Sequence, residues 1–151
     1  METKKSIKVS FVILLLMMIL ALVYGLMAAM KPEFFVARSF QLYTAQSWTD
    51  YLTASPIIAN YMLILERMAG GMGFVVSLGG LIVLLAVFKK TEKWTWFYIA
   101  VVALLGWVTS LVANIAFKNP ITITINIIGL VLVVIGLIIS PKDFLGKRVN
   151  T

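Results

Sequence analysis

Four long apolar runs, each fenced by polar residues, organise this chain. The first, Val9 to Met30, holds no charge, and its ~22 residues can cross a hydrocarbon layer about 30 Å thick. The second opens at Ser55-Pro56, a capping serine followed by proline at the first helical position. A helix from there to Phe88 would be about 50 Å long, more than a bilayer needs. Gly70, Gly71 and Gly73 mark where it would bend most cheaply. The third run is Trp94 to Phe117, reached by a tight turn at Lys89 to Lys93. Asn119-Pro120 breaks the chain, and Ile121 to Ser140 is the fourth run, stopped by Pro141. Its Ile and Val content would suggest a strand in water. In lipid a lone strand leaves its backbone unpaired, so a helix is expected.

Lys31 to Ser55, between the first two runs, is rich in Phe, Tyr and Trp. Within it Ser47-Trp48-Thr49-Asp50 reads as a helix start, with Asp50 near the positive end. The expected architecture is all-α: one domain over 1–151, an integral membrane four-helix bundle with a short outer interfacial helix. The spans are placed at about 9–30, 58–88, 94–117 and 121–140.

Small residues refine this picture, because membrane helices associate by close packing. In the fourth run Thr122, Asn126, Gly129, Gly136 and Ser140 fall on one stripe, with Val133 filling its gap. Comparable stripes are Ala69, Gly73, Ser77 and Gly80 in the second, Ala103, Gly106, Ser110 and Ala113 in the third, and Ala21, Gly25 and Ala28 in the first. Each is expected to face inward, as a bundle requires.

Composition agrees: 62% of residues are hydrophobic, against about half in a soluble domain. Charge adds orientation. Of 13 Lys and Arg, nine lie at the N-terminus (Lys4, Lys5, Lys8), the central turn (Lys89, Lys90, Lys93) and the C-terminus (Lys142, Lys147, Arg148). By the positive-inside pattern these face the cytoplasm, so both termini are expected inside the cell's inner membrane. The first run is too long for a cleaved leader, and Met27-Ala28-Ala29 lacks a small residue where cleavage needs one, so it is read as retained.

The net charge of +7 sits at helix ends, suited to anionic headgroups, and no basic patch interleaved with aromatics suggests nucleic acid. The chain has no Cys and no His, which removes thiolate chemistry and the commonest general base and metal ligand. Met27, Met30, Met62, Met68 and Met72 could offer thioethers to Cu(I), but unassisted they read as packing residues. No cofactor and no enzymatic activity are expected.

What polar chemistry there is gathers in the outer third. Asn114 and Asn126 lie about one turn inside their spans, and Glu66 and Arg67 end the second. One reading is structural: the two amides satisfy each other, and Glu66 or Arg67 pairs with Arg38 or Asp50 to pin the outer segment. The other is a binding pocket open to the outside, formed by Glu66 or Arg67 with Asn114 and Asn126 and roofed by Trp48.

Trp48, then Pro56-Ile57-Ile58-Ala59-Asn60-Tyr61, Arg67-Met68-Ala69-Gly70 and Thr91-Glu92-Lys93-Trp94-Thr95-Trp96-Phe97-Tyr98 resemble motifs of small prokaryotic four-span proteins, loosely DoxX-like. Those carry a Trp, a Pro-x-x-Ala-Asn-Tyr start, an Arg-x-x-Gly step and a Gly-Glu-x-Trp-Ala-Trp-Tyr turn. Here Thr91, Thr95 and Phe97 replace the Gly, the Ala and the Tyr of that turn. The resemblance covers about residues 48–140 and implies a four-span fold. It also implies a role like that of DoxX-like accessory subunits linked to quinone-dependent sulfur oxidation and oxidant resistance. The residues themselves suggest a non-catalytic accessory or scaffold subunit that binds lipid and partner subunits or copies of itself. The alternative is binding or transport of a small amphipathic molecule through the outer pocket.

Overall fold

The computed structural model describes residues 4–145, and within them the chain is helical with short connections. Lys147 and Arg148 of the third basic stretch lie outside the described residues. The helices are α1 (Lys5–Met30), α2 (Pro32–Thr44), α3 (Trp48–Ala54), α4 (Pro56–Ala86), α5 (Lys93–Ala116), α6 (Pro120–Ile139) and α7 (Pro141–Leu145), with a 3-10 turn over Phe88–Lys90. α1, α4, α5 and α6 are long and apolar enough to cross a membrane, and match the four predicted spans. Lys4 and Asp143 form an ion pair at 2.9 Å, so both ends of the described chain lie at one end of the molecule, here called the inner end.

α1 packs along both α4 and α6, and α6 packs along α5. α4 and α5, although joined by a turn, share much less of their length. The inner half is one apolar core drawn from all four long helices: Leu14, Met17 and Met18 from α1, Leu84 from α4, Ile99 and Trp107 from α5, Val133 and Leu137 from α6. Phe88 and Phe144 close its inner end with ring centroids 4.7 Å apart. Lys89 lies 4.2 Å above the Phe11 ring centroid there.

Small residues set how closely the helices approach. The fourth-run stripe is buried throughout: Thr122, Asn126, Gly129, Val133, Gly136 and Ser140. A Cβ on Gly129 would come within 2.5 Å of the Trp107 ring, and one on Gly136 within 2.7 Å of Leu14. The buried Ser10 hydroxyl donates to the Gly136 carbonyl at 2.5 Å, and Ser140 donates to Ser10 at 3.0 Å, which locks α1 to α6. α1 and α4 cross backbone against backbone. A Cβ on Gly25 would lie 2.6 Å from the Phe74 amide nitrogen, and one on Gly70 would lie 2.5 Å from that of Ala29. The Gly-rich step in α4 therefore serves as a crossing point, and the helix continues unbroken through it.

Two stripes differ from expectation. On α4 the buried residues are Ala59, Gly70, Ser77, Gly80 and Leu84, while Ala69 and Gly73 are exposed. On α5 they are Thr95, Ile99, Ala100, Ala103, Trp107 and Asn114, while Gly106 and Ala113 are exposed. Trp107 and Asn114 decide the matter. A large ring and an amide gain more from burial and pairing than glycine or alanine does, so they rotate the helix. Met68 and Met72 point outward, with Met72 69% exposed.

The outer segment is more structured than predicted. It holds α2 as well as the short α3. Pro32 starts α2, Glu33 sits in its first turn, and Ala45 ends it in the left-handed conformation at φ 61°. Pro32, Val36 and Phe40 repeat every four residues and are the buried face. Ser47 caps α3 as expected, accepting from the Asp50 amide at 3.5 Å. Ser55 precedes Pro56, but its side chain makes no capping bond. Val36, Phe40 and Trp48 form a second apolar core with Ala59 at the start of α4.

Candidate functional site: a polar layer between two cores

Between the inner core and the outer cap lies a layer of polar side chains, contributed by α1, α5 and α6. Asn119, the cap of α6, anchors its outer edge. Its carbonyl side-chain oxygen accepts from the Thr122 amide at 3.5 Å, and its amide donates to the Ser39 hydroxyl of α2 at 3.1 Å. Asn119 is buried, so one side chain both starts α6 and ties α2 across the α5–α6 turn.

One turn deeper are the two predicted asparagines, both buried. They do not bond each other. The Asn114 amide donates to the Ser110 carbonyl at 2.8 Å and contacts its hydroxyl at 3.4 Å. The Asn126 amide donates to the Thr122 carbonyl at 2.6 Å. Each amide thus bonds one turn back on its own helix. Asn126 is only 1% exposed, and its side-chain oxygen has no partner. The short bond to the Thr122 carbonyl fixes which atom is nitrogen, so the oxygen is left facing inward. A buried acceptor without a donor costs about 1–3 kcal/mol.

Tyr24 is the residue that sequence reasoning missed. It is half-buried on α1, its hydroxyl beside Asn114 and within electrostatic reach of Glu66. The α1–α6 contacts pair Ser10 with Ser140 and Leu14 with Gly136 in antiparallel register. Continued outward, that register sets Tyr24 level with Asn126. Trp107 against Gly129 likewise sets Ser110 near that level. Tyr24 is the one phenol in the first apolar run, at the same depth as the asparagines, which is the signal that could have found it.

The other predicted site residues fall elsewhere. Glu66 is half-buried one turn outside Gly70, which packs at Ala29, so it sits further out than the asparagines; its neighbour Arg67 is exposed, as expected for residues about 100° apart on a helix. Among the described residues Lys4–Asp143 is the ion pair present, so the expected pairing of Glu66 or Arg67 with Arg38 or Asp50 is not found. Arg38 and Asp50 are exposed. Asp50 helps line a shallow outer depression of about 290 Å³ with Gln46, Ser47, Tyr51 and Ala54. Trp48 does not roof the asparagines. It packs edge-on to Phe40 at 5.4 Å and donates its indole N–H to Glu33 at 3.2 Å, which holds α3 onto α2. Cover over Tyr24 comes instead from Phe35 of α2, ring centroids 5.1 Å apart.

An apolar groove of about 340 Å³ runs between α5 and α6 in the inner half, lined by Trp96, Ala100, Leu104 and Val134 among others. Comparison with known protein families, with curated proteins and with solved structures yields no significant match.

Proposed function

We propose that this chain is a non-catalytic, multi-pass protein of the cytoplasmic membrane that serves as an accessory or scaffold subunit, held in lipid and bound to a partner helix. Both termini lie on the cytoplasmic side in this reading. Lipid contact is supported by outward faces that are almost wholly apolar, with Met72, Leu105 and Ile138 between 62% and 69% exposed. In water such faces would be an aggregation liability.

The observation that carries the partner is on α5. Gly106, Thr109, Ala113 and Ala116 recur at intervals of three and four, and all four are exposed. A Cβ on Gly106 would meet nothing within 4 Å. Lipid tails gain nothing from small residues, whereas a second helix can approach closely over them. Since α5 already seals the bundle with its opposite face, the small face is a seam without its mate.

A photo-crosslinking amino acid at Thr109 tests this in native membranes, with Val75, an exposed α4 position, as control. The expected result is a protein adduct of discrete mass at position 109, lost in Gly106→Leu, and only lipid adducts at position 75. Lipid adducts alone at both positions would contradict the reading.

A further inference from the structure

The groove between α5 and α6, about 340 Å³ in volume, lies on a different face of α5 from the small-residue seam. Trp96, Ala100 and Leu104 form its α5 wall, and Val134, Ile138 and Pro141 its α6 wall. The described lining is wholly apolar. Pro141 shapes the inner end. It has no N–H for the Leu137 carbonyl four residues back, and the Trp96 indole supplies one at 3.3 Å. That bond ties α5 to α6 and holds the Trp96 ring at the mouth, where an indole suits the headgroup boundary. Charge stands at the same end. Lys93 precedes Trp96 by three residues, and the spacing 93, 96, 100, 104 keeps it on the groove side of α5. Lys142 directly follows Pro141, on α7, which touches α5. Both lysines are exposed, and neither forms an ion pair among the described residues. Of the nearby acids, Asp143 is taken by Lys4 and Ser6 of α1, and Glu92 is exposed in the turn before Lys93. A molecule that meets this arrangement carries a hydrocarbon chain with an anionic group at one end.

We propose that the α5–α6 groove binds one anionic phospholipid from the leaflet at the inner end. An acyl chain lies along Trp96, Ala100, Leu104 and Val134, and the phosphate sits between Lys93 and Lys142. The lysine stems follow the apolar walls and bring their ammonium groups to headgroup depth. Basic pockets between membrane helices on the cytoplasmic side recognise anionic headgroups by the same means. The site rests on these helices lying in lipid, as proposed above, and is independent of the α5 partner.

The test uses the full chain in nanodiscs of phosphatidylcholine and phosphatidylglycerol, mixed in equal parts and matched in acyl chains. Native mass spectrometry identifies the lipid each protein retains on release. One phosphatidylglycerol is expected, preferred over phosphatidylcholine by roughly tenfold or more. Lys93→Gln combined with Lys142→Gln should abolish the preference. Lys8→Gln combined with Lys89→Gln removes the same charge at the same end, but on the α1 side, where Lys89 lies over the Phe11 ring, and should keep it. Val134→Phe, at a 38% exposed wall position, fills the groove from its open side and should lower phosphatidylglycerol retention several-fold. Unchanged melting temperatures in phosphatidylcholine alone separate lost binding from lost folding. Equal retention of the two lipids, or a preference lost as fully in the Lys8 and Lys89 variant, would overturn the proposal. So would a preference that survives the Lys93 and Lys142 changes, or retention unaltered by Val134→Phe. In each of those cases the protein would still occupy the nanodisc, and the membrane reading would stand.

Discussion

Single side chains carry much of the specificity in a molecule where apolar surface is everywhere. Gly129 and Gly136 show this most simply, since a methyl group on either would collide with Trp107 or Leu14. Gly129→Leu and Gly136→Leu should each destabilise the detergent-solubilised protein by about 1–3 kcal/mol or more, read as a lower melting temperature. Val131→Leu, at a half-exposed position off the stripe, should leave it unchanged. Equal melting of all three would mean the stripe faces lipid. Thr91 illustrates the reverse case: a β-branched residue at φ 57°, a conformation that favours glycine, in the turn between α4 and α5. At the inner end, the Ser6 hydroxyl at 2.6 Å and the Lys4 ammonium at 2.9 Å hold the Asp143 carboxyl below the usual aspartate pKa. A carboxyl with a depressed folded pKa adds stability above its unfolded value, near pH 4, and loses it as pH falls through the folded value. The native protein should therefore lose melting temperature below about pH 4 more steeply than Asp143→Asn does. The contribution is small, since Lys4 is 72% exposed and such pairs are worth at most about 1 kcal/mol. Identical acid profiles for the two proteins would show that the contact does not form in solution.

At the scale of helices, what could be read from the chain divides by how many solutions the pattern allows. The four long runs allow one, because ~20 apolar residues in lipid can only be helix, and the spans match within a few residues. The α6 stripe also allows one, because its other faces are Ile, Leu and Val. α5 offers small residues on two faces, Ala103 and Ser110 on one, Gly106, Thr109 and Ala113 on the other. Spacing does not choose between them; the burial of Trp107 and the pairing of Asn114 do. α2 was missed because its aromatic, polar composition reads as an interfacial loop. Its signal was the four-residue repeat of Pro32, Val36 and Phe40, with Glu33 in the first turn. In the candidate site, depth was legible and partnership was not. Asn114 and Asn126 lie within about a turn of one level, as counting residues from the span ends suggests, whereas the crossing of Gly70 against Ala29 leaves Glu66 further out. That each amide turns back to its own helix, and that Tyr24 joins them, depends on helix rotation, which one sequence does not encode locally.

For the whole molecule, two apolar cores with a polar layer between them make the ends unlike each other. The inner end is shut by Phe88 and Phe144 and ringed by Lys4, Lys8, Lys89 and Lys90, whereas the outer end is a helical cap tied on through Asn119–Ser39 and Trp48–Glu33. The asymmetry matches the charge pattern: the described basic clusters and both described chain ends fall on the inner side. The structure also selects the positions that report on it. Asn119, in the outer α5–α6 turn, is buried and bonded, and Thr91 holds a left-handed turn. Gln46, between α2 and α3, and Lys90, in the inner turn, are exposed. Because the chain has no Cys, Gln46→Cys and Lys90→Cys each introduce a unique thiol. Labelling both variants in intact cells with a membrane-impermeant maleimide is the most direct measurement. The account predicts reaction at position 46 without lysis and at position 90 only after lysis. Labelling at position 90 in intact cells, or protection at position 46, would contradict it.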